Sequence, residues 1–275
     1  MAAECEALER AGLLSPHTFE FVAEDGKRRT YEHAGRSFAD LDPRRIRGEV
    51  SAKAPWLAEF AASHARTLAR LLAEALPALE LGSGEEDVQV KLQLTRGLHG
   101  CAPCHYDTSD SAASRQLTLL VYLSQGWSGS CGGELRLQPF LGEPRSLVPH
   151  FDRGVLFLAD RLLHSSAPPS SEACARSRWL LTVWFDGRRV DGPRGSRWPP
   201  LLQRMVAPAV YEEDYLEALE QSLPPGEALE ALRRAQAEEI QAIRGDAALA
   251  EMLDDLAEAA ADARRGLKRQ RRAQA

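Results

Sequence analysis

The stretch Val88-Gln-Val-Lys-Leu-Gln-Leu94 alternates apolar and polar side chains without a break. Successive side chains of an extended chain point to opposite faces, so this period of two marks a half-buried strand. Four more apolar runs follow, Gln116–Leu123, Gly133–Gln138, Gly154–Leu158 and Trp179–Phe185, separated by Gly, Ser, Pro and Asp clusters. Many short strands at fairly even spacing predict a sandwich or a double-stranded β-helix (jelly-roll) barrel, with a mouth where ligands bind.

Helices are expected on either side, giving an α+β chain in three parts: a helical support over 1–86, the jelly roll over 87–187, and a loop with a helical extension over 188–275. In the first part Trp56, Leu57, Phe60, Leu68, Leu71, Leu72, Ala75 and Leu79 recur at three- and four-residue spacing, which predicts one helix from Pro55 to Glu80 with an apolar stripe. Pro77 is expected to kink or end it, and Glu24–Arg29 to break the region upstream. After the Arg/Gly/Pro-rich loop Arg188–Pro200, helices are expected over Glu212–Leu223, Pro225–Ile243 and from Asp246, as N-cap, to Gly266.

The 275-residue chain carries a net charge of −6, which argues against a nucleic-acid binder held by overall charge. Only Arg264–Arg272 is basic enough for such a role. Cations at a helix C-terminus explain that run adequately, and a targeting or nucleic-acid patch is the alternative. No apolar run approaches a membrane span, and the first residues lack the pattern of a secretory signal. Five cysteines, an odd number, fit a reduced intracellular compartment, cytoplasmic or nuclear. Oligomeric state is not legible.

Chemistry concentrates at Cys104-His105-Tyr106-Asp107. On a strand, His105 and Asp107 face the same way and are able to hold one ion. With His164, after the Gly154–Leu158 strand, they form a two-histidine, one-carboxylate face, which suits non-haem Fe(II) and leaves coordination positions open. Arg178 begins the last strand and shares a face with Leu180, Thr182 and Trp184, while Thr118, Leu120 and Tyr122 share one on an earlier strand. If both faces line the barrel, a buried Arg, Thr and Tyr converge within apolar walls and need a partner such as a carboxylate.

In this order the motifs resemble the Fe(II)- and 2-oxoglutarate-dependent dioxygenases, in particular their prolyl 4-hydroxylase branch. The likeness rests on His105-Tyr-Asp107, Leu-Val-Tyr122-Leu followed by Gly132-Gly-Glu-Leu-Arg-Leu, Phe151–Asp160, His164 and Arg178-Trp-Leu-Leu-Thr-Val-Trp-Phe185. It implies that His105, Asp107 and His164 ligate iron, with no catalytic residue beyond these ligands. It also implies that Arg178 holds the distal carboxylate of 2-oxoglutarate with help from Tyr122 and Thr182, and that Trp184 and Leu120 line the pocket. The implied reaction spends oxygen and 2-oxoglutarate, releases succinate and carbon dioxide, and hydroxylates a C–H bond, with ascorbate as an accessory. A protein or peptide, foremost a peptidyl proline, is the expected substrate, with another residue or a metabolite behind it.

Two departures from the family stand out. The strand before His105 lacks the family's tyrosine, leaving Gln93 or Thr95 to replace it, and Arg176 competes with Arg178 at the same parity. Cys101-Ala-Pro-Cys104 is a zinc half-site with no second half at the usual spacing. His99 and His150 have no acidic partner at ligand spacing. Rival functions are a non-catalytic jelly-roll binding module and an oxygenase acting on a small molecule or nucleic acid. For the latter, no aromatic platform interleaved with basic residues is visible in the strand region.

Overall fold

The computed structural model describes residues 1–23, 25–108, 114–174, 176–188 and 198–273, with side chains through residue 265. Helix α1 (Ala2–Arg10) leads into a hairpin of β1 (Ser15–Val22) and β2 (Arg28–Asp40). The chain reverses at Gly26, whose φ of +76° suits glycine, so the break expected over 24–29 is a hairpin turn. Helical structure resumes with α2 (Gly48–Lys53), α3 (Pro55–Glu59), a π turn at Phe60–His64 and α4 (Ala65–Ala75).

Eight strands follow: β3 (Val88–Thr95), β4 (Ala102–His105), β5 (Arg115–Tyr122), β6 (Leu135–Pro139), β7 (Arg145–Leu147), β8 (Gly154–Leu158), β9 (Leu162–Ser166) and β10 (Arg178–Asp186). They form two antiparallel sheets, a large one in the order β1-β2-β3-β10-β5-β8 and a small one in the order β4-β9-β6-β7. This is the expected jelly roll, present as two sheets rather than as one closed ring of hydrogen bonds among the described residues. Leu120, Tyr122 and Phe157 of the large sheet pack with Leu135 of the small one and join the two.

The expectation that residues 1–86 are helical is corrected by the hairpin, which extends the large sheet by two strands. β1 alternates half-buried and exposed positions along its whole length, the two-residue period of a strand. β2 continues the ladder onto β3 in the register Arg36↔Thr95, Phe38↔Gln93 and Asp40↔Lys91.

Of the expected stripe, Leu57 and Leu79 are buried and Phe60, Leu68 and Leu72 pack against the core. Leu57, Ala61, Ala65 and Ala69 are the residues that α3, the π turn and α4 bury, whereas Trp56 is 70% and Leu71 57% exposed. The π turn inserts one extra residue and rotates the face presented downstream. The alanines let the helix lie close against the outer face of the large sheet, where Val88, Val90, Leu92, Leu94, Leu181, Val183 and Phe185 complete a dense core.

At the other end, α5 (Pro200–Val210), α6 (Glu212–Ser222), α7 (Glu227–Gly245) and α8 (Ala247–Ala273) cover the back of the small sheet. Leu163 of β9 is buried with Val206, Val210, Tyr211, Ile240 and Leu256. α5 had no counterpart in the sequence reading. The expected cap at Asp246 forms, its Oδ1 accepting the N–H groups of Ala248 at 2.8 Å and Leu249 at 3.3 Å. In the basic run, Arg264 is paired with Asp214 and Glu213 and lies over the Tyr211 ring. The side chains from 266 onward lie outside the described residues.

Candidate metal and cosubstrate site

With apolar side chains packed outward against helices, the large sheet turns its polar side chains inward. Gln93 and Thr95 on β3, Thr182 and Trp184 on β10, and Tyr122 on β5 all border a cavity of about 400 Å³ between the sheets. Lys91 and Gln93, in the polar half of the Val88–Leu94 alternation, are therefore cavity wall.

His105 and His164 enter from the small sheet. They are directly opposite one another in the β4–β9 ladder, which brings their ring centroids to 4.2 Å. His164 thus lies inside a strand rather than in a loop after one. Each ring has its Nδ1 against a backbone carbonyl, Pro103 O at 2.8 Å for His105 and Leu162 O at 3.1 Å for His164. A carbonyl only accepts, so Nδ1 carries the proton and Nε2 keeps a free lone pair, the tautomer that metal ligation requires.

Both Nε2 atoms point at Asp107, His105 at 3.7 Å from Oδ1 and His164 at 3.7 Å from Oδ2. One ligand atom from each of the three residues falls within 4.8 Å of the others. Asp107 sits just past the end of β4, where Thr118 of β5 donates a hydroxyl hydrogen bond to its Oδ2 at 2.6 Å. Burial opposes the Asp107 charge, but His164, His105 and the Thr118 hydroxyl outweigh it and lower its pKa. Burial, reinforced by His105, pushes His164 down to about 4, so its ring is neutral at neutral pH. A compact face of two imidazoles and one carboxylate suits a ferrous ion.

Arg178 starts β10, six residues before Trp184, so roughly 20 Å of strand separates their backbones at a strand's usual rise. Its guanidinium is 5% exposed and donates to Thr95 Oγ1 (2.9 Å), Gly133 O (2.5 Å), Gly100 O (3.2 Å) and Ser166 Oγ (3.3 Å). A Cβ on Gly133 would lie 2.5 Å from Arg178 Nη1, and the residue has φ +74°, so glycine is required twice over. All the partners of the guanidinium are neutral, and burial works against its charge. A buried cation with no carboxylate partner among the described residues, at a cavity wall, suits an anionic ligand group.

Tyr122 is 3% exposed, with burial pushing its phenol up to about 12, so it faces the cavity as a neutral hydroxyl. Thr182 accepts a hydrogen bond from Gln93 Nε2 at 2.9 Å, and Leu120 supplies apolar wall. Gln93 and Thr95, named as substitutes for a missing tyrosine, are thus both at the cavity, one beside Thr182 and the other beneath Arg178. Arg176 points elsewhere, its Nη2 on Gly126 O at 2.5 Å and its guanidinium over Trp127.

The other sequence candidates lie apart from the cavity or are tied up. Cys104 is a half-buried thiol donating to Asp214 O at 3.5 Å, and burial pushes Cys101 up to about 11. Neither joins a group of metal ligands among the described residues. His99 hydrogen-bonds Gln221 O at 3.1 Å.

Among the cavity residues that sequence reasoning missed are His17, Arg36, Lys91 and Arg115. Lys91 was within reach, since it shares strand parity with Gln93 and Thr95. Arg115 lies over the Trp184 ring at 4.2 Å and donates to Asp107 O at 3.1 Å and to Gln89 Oε1 at 2.9 Å, bracing the carboxylate's loop from behind.

The family model described as "2OG-Fe(II) oxygenase superfamily" matches residues 92–186. Among solved structures, a prolyl 4-hydroxylase from Phytophthora capsici is 29% identical, with a TM-score of 0.69 over 82% of this chain and 77% of its own. A Pseudomonas putida prolyl-4-hydroxylase is 23% identical over 68% of this chain and 84% of its own, with a TM-score of 0.49. A prolyl hydroxylase from Trichoplax adhaerens, in complex with a hypoxia inducible factor peptide fragment, is 18% identical over 68% of this chain and 79% of its own, with a TM-score of 0.46. No curated protein matches the chain.

Proposed function

We propose that the chain is a 2OG-Fe(II) oxygenase of the prolyl 4-hydroxylase-like branch, the superfamily whose model its residues 92–186 match, and that it hydroxylates a prolyl residue of a protein or peptide substrate. The observation that carries the reading is one cavity with two complementary ends. His105, Asp107 and His164 gather three ligand atoms at one end, and the buried Arg178 guanidinium stands without a carboxylate at the other. The likeness to the Phytophthora capsici enzyme directs the choice of proline.

Bound iron supplies oxygen activation coupled to the decarboxylation of 2-oxoglutarate to succinate. Oxygen as cosubstrate and ascorbate as a reductant belong to the same proposal. The chain's own residues do the rest. Pro103 O and Leu162 O hold both imidazoles in the ligating tautomer, and the Thr118 hydroxyl holds the Asp107 carboxylate in its orientation between them. Arg178 pairs with the distal carboxylate of 2-oxoglutarate and so sets the distance of its keto-acid end from the ligands. Leu120, Tyr122 and Trp184 exclude water along that path.

The test incubates the protein with Fe(II), 2-oxoglutarate, ascorbate and a panel of proline-containing peptides, reading succinate and a gain of one oxygen by mass spectrometry. Succinate and oxygen gain on proline are expected, both lost in Asp107→Ala. Unchanged turnover in that variant overturns the catalytic assignment, and oxygen gain on another residue type overturns the prolyl part.

A further inference from the structure

Four cationic side chains, Arg36, Lys91, Arg115 and Arg178, border the cavity, and Asp107 is the one acidic residue that does so among the described residues. The ligands of the proposed reaction do not balance this. A ferrous ion's two charges are met by Asp107 and by the metal-binding carboxylate of 2-oxoglutarate, and Arg178 is met by the distal carboxylate. Arg115 is engaged with Asp107 O and Gln89, and Asp186 supports its charge. Arg36 and Lys91 remain.

Arg36 is the clearer case. It lies on β2 in the same sheet row as Thr95 and Arg178, so its backbone is about 10 Å from that of Arg178 at the usual strand spacing. It makes no side-chain hydrogen bond or ion pair with any described residue, and its Nε is buried without a partner. Burial pushes it down to about 10, with Arg178 acting in the same direction. Its neighbour Cys101 is a neutral thiol. Lys91 stands on the next strand, four residues along from the row of Arg36, its ammonium 4.4 Å from the centre of the Phe38 ring and 5.7 Å from that of Trp184. Asp40 supports its charge from across the ladder, but one oxygen of that carboxylate is occupied by the Asp42 N–H at 3.0 Å. His17, tilted against the Phe38 ring at 5.2 Å between centroids, is lowered to about 3 by burial and by both cations, so it is a neutral hydrogen-bonding group beside them.

We propose that Arg36 and Lys91, with His17 beside them, form a carboxylate-binding subsite, and that the primary substrate is a peptide with an acidic residue close to the one that is oxidised. This rests on the peptide-oxygenase reading given above and adds the charge of the substrate to it. A half-buried guanidinium with no partner is costly, and a carboxylate arriving with the substrate relieves that cost only in the complex. Trp184 links the subsite to the iron end, because Lys91 and Arg115 both lie over its ring, at 5.7 and 4.2 Å from the centroid. Both cations come from the β2–β3 ladder, the part of the large sheet that the β1–β2 hairpin extends.

The test uses one proline-containing peptide with Glu, Gln or Lys at each flanking position, and reads kcat/KM for oxygen gain together with 2-oxoglutarate consumption. One Glu peptide is expected to exceed its Gln partner by about tenfold, the scale of one well-placed charge pair, with the Lys peptide lowest. In Arg36→Gln and, separately, Lys91→Gln, the KM of the Glu peptide is expected to rise while that of the Gln peptide stays close to wild type. That internal comparison separates lost recognition from misfolding. Equal kcat/KM for all three peptides, with oxygen still gained on proline, overturns the charge proposal and leaves the prolyl reading standing. A rise in the KM for 2-oxoglutarate rather than for peptide assigns the cations to the cosubstrate and also overturns it. Consumption of 2-oxoglutarate with no oxygen gained on any peptide overturns both.

Discussion

Arg178→Lys separates a cosubstrate anchor from a structural strut. The native guanidinium supports Thr95, Gly133, Gly100 and Ser166 while facing the cavity. Lysine keeps the charge but offers three donors on one atom, so it loses the planar fork and leaves at least one of these acceptors unpaired. The orphaned group costs about 1–3 kcal/mol of stability. Losing one charge-assisted hydrogen bond to 2-oxoglutarate costs about 2 kcal/mol, or roughly 30-fold in Kd. Thermal unfolding with Mn(II) in place of iron reads both effects. At a 2-oxoglutarate concentration of about 100 times the wild-type Kd, the ligand stabilises wild type by about 2.7 kcal/mol, a rise of roughly 5–11 °C. In the variant the same concentration is only about three times Kd, giving about 0.9 kcal/mol and roughly 2–4 °C. A lower melting temperature with an undiminished ligand shift would refute the anchoring role and leave Arg178 as a strut.

Other residues give narrower tests. Thr118→Val removes the hydroxyl on Asp107 Oδ2 with little change of shape, and metal affinity, read by titration with Mn(II), should fall about 10–100-fold. Gly133→Ala combines a positive φ with a close approach to Arg178, so it should lose about 1–3 kcal/mol in denaturant unfolding. Ala65→Leu, on the fully buried face of α4 against the large sheet, should cost about 1–3 kcal/mol by overpacking while the metal affinity of the folded fraction stays as in wild type. Deleting residues 266–275 should leave succinate formation intact if the basic end only targets or solvates. A loss of turnover in that truncation would tie the tail to the substrate.

How much of this was legible from the chain depended on whether a signal was local. β3 and β10 announced themselves by parity, and Arg178, Thr182 and Trp184 border the cavity together because residues two apart on a strand cannot do otherwise. His105 and Asp107 needed only their own spacing. His164 needed the ladder that sets it opposite His105, which no spacing between them encodes. The hairpin of β1 and β2 went unread because both strands are half-exposed along most of their length, so the apolar contrast that marks a strand is weak there. The Pro55–Glu80 stripe was read correctly at Leu57, Phe60, Leu68, Leu72 and Leu79 but missed Ala61, Ala65 and Ala69, because one π turn shifts the helix phase and alanines, poor in apolar signal, do the close packing.

The same reasoning explains why the alternation of β3 was easy to find and easy to misjudge. A period of two says that one face is apolar and the other polar, and the default assigns the polar face to water. Here helices cover the apolar face and the polar face looks into a cavity, so Lys91, Gln93 and Thr95 lie half-buried or buried among Arg36, Arg178 and Thr182. An inward polar face is unfavourable unless something occupies it, since each unpaired group there keeps its desolvation cost. Gln93 and Thr95 recover that cost from Thr182 and Arg178 within the chain, whereas Arg36 recovers it from no described residue. Replacing Arg36 with methionine, which keeps the length and discards the charge, should therefore leave the free protein as stable as wild type or more so, by up to about 2 kcal/mol in denaturant unfolding. A clear loss of stability would mean that the guanidinium already has a partner in the free protein, and that no substrate charge is needed to explain it.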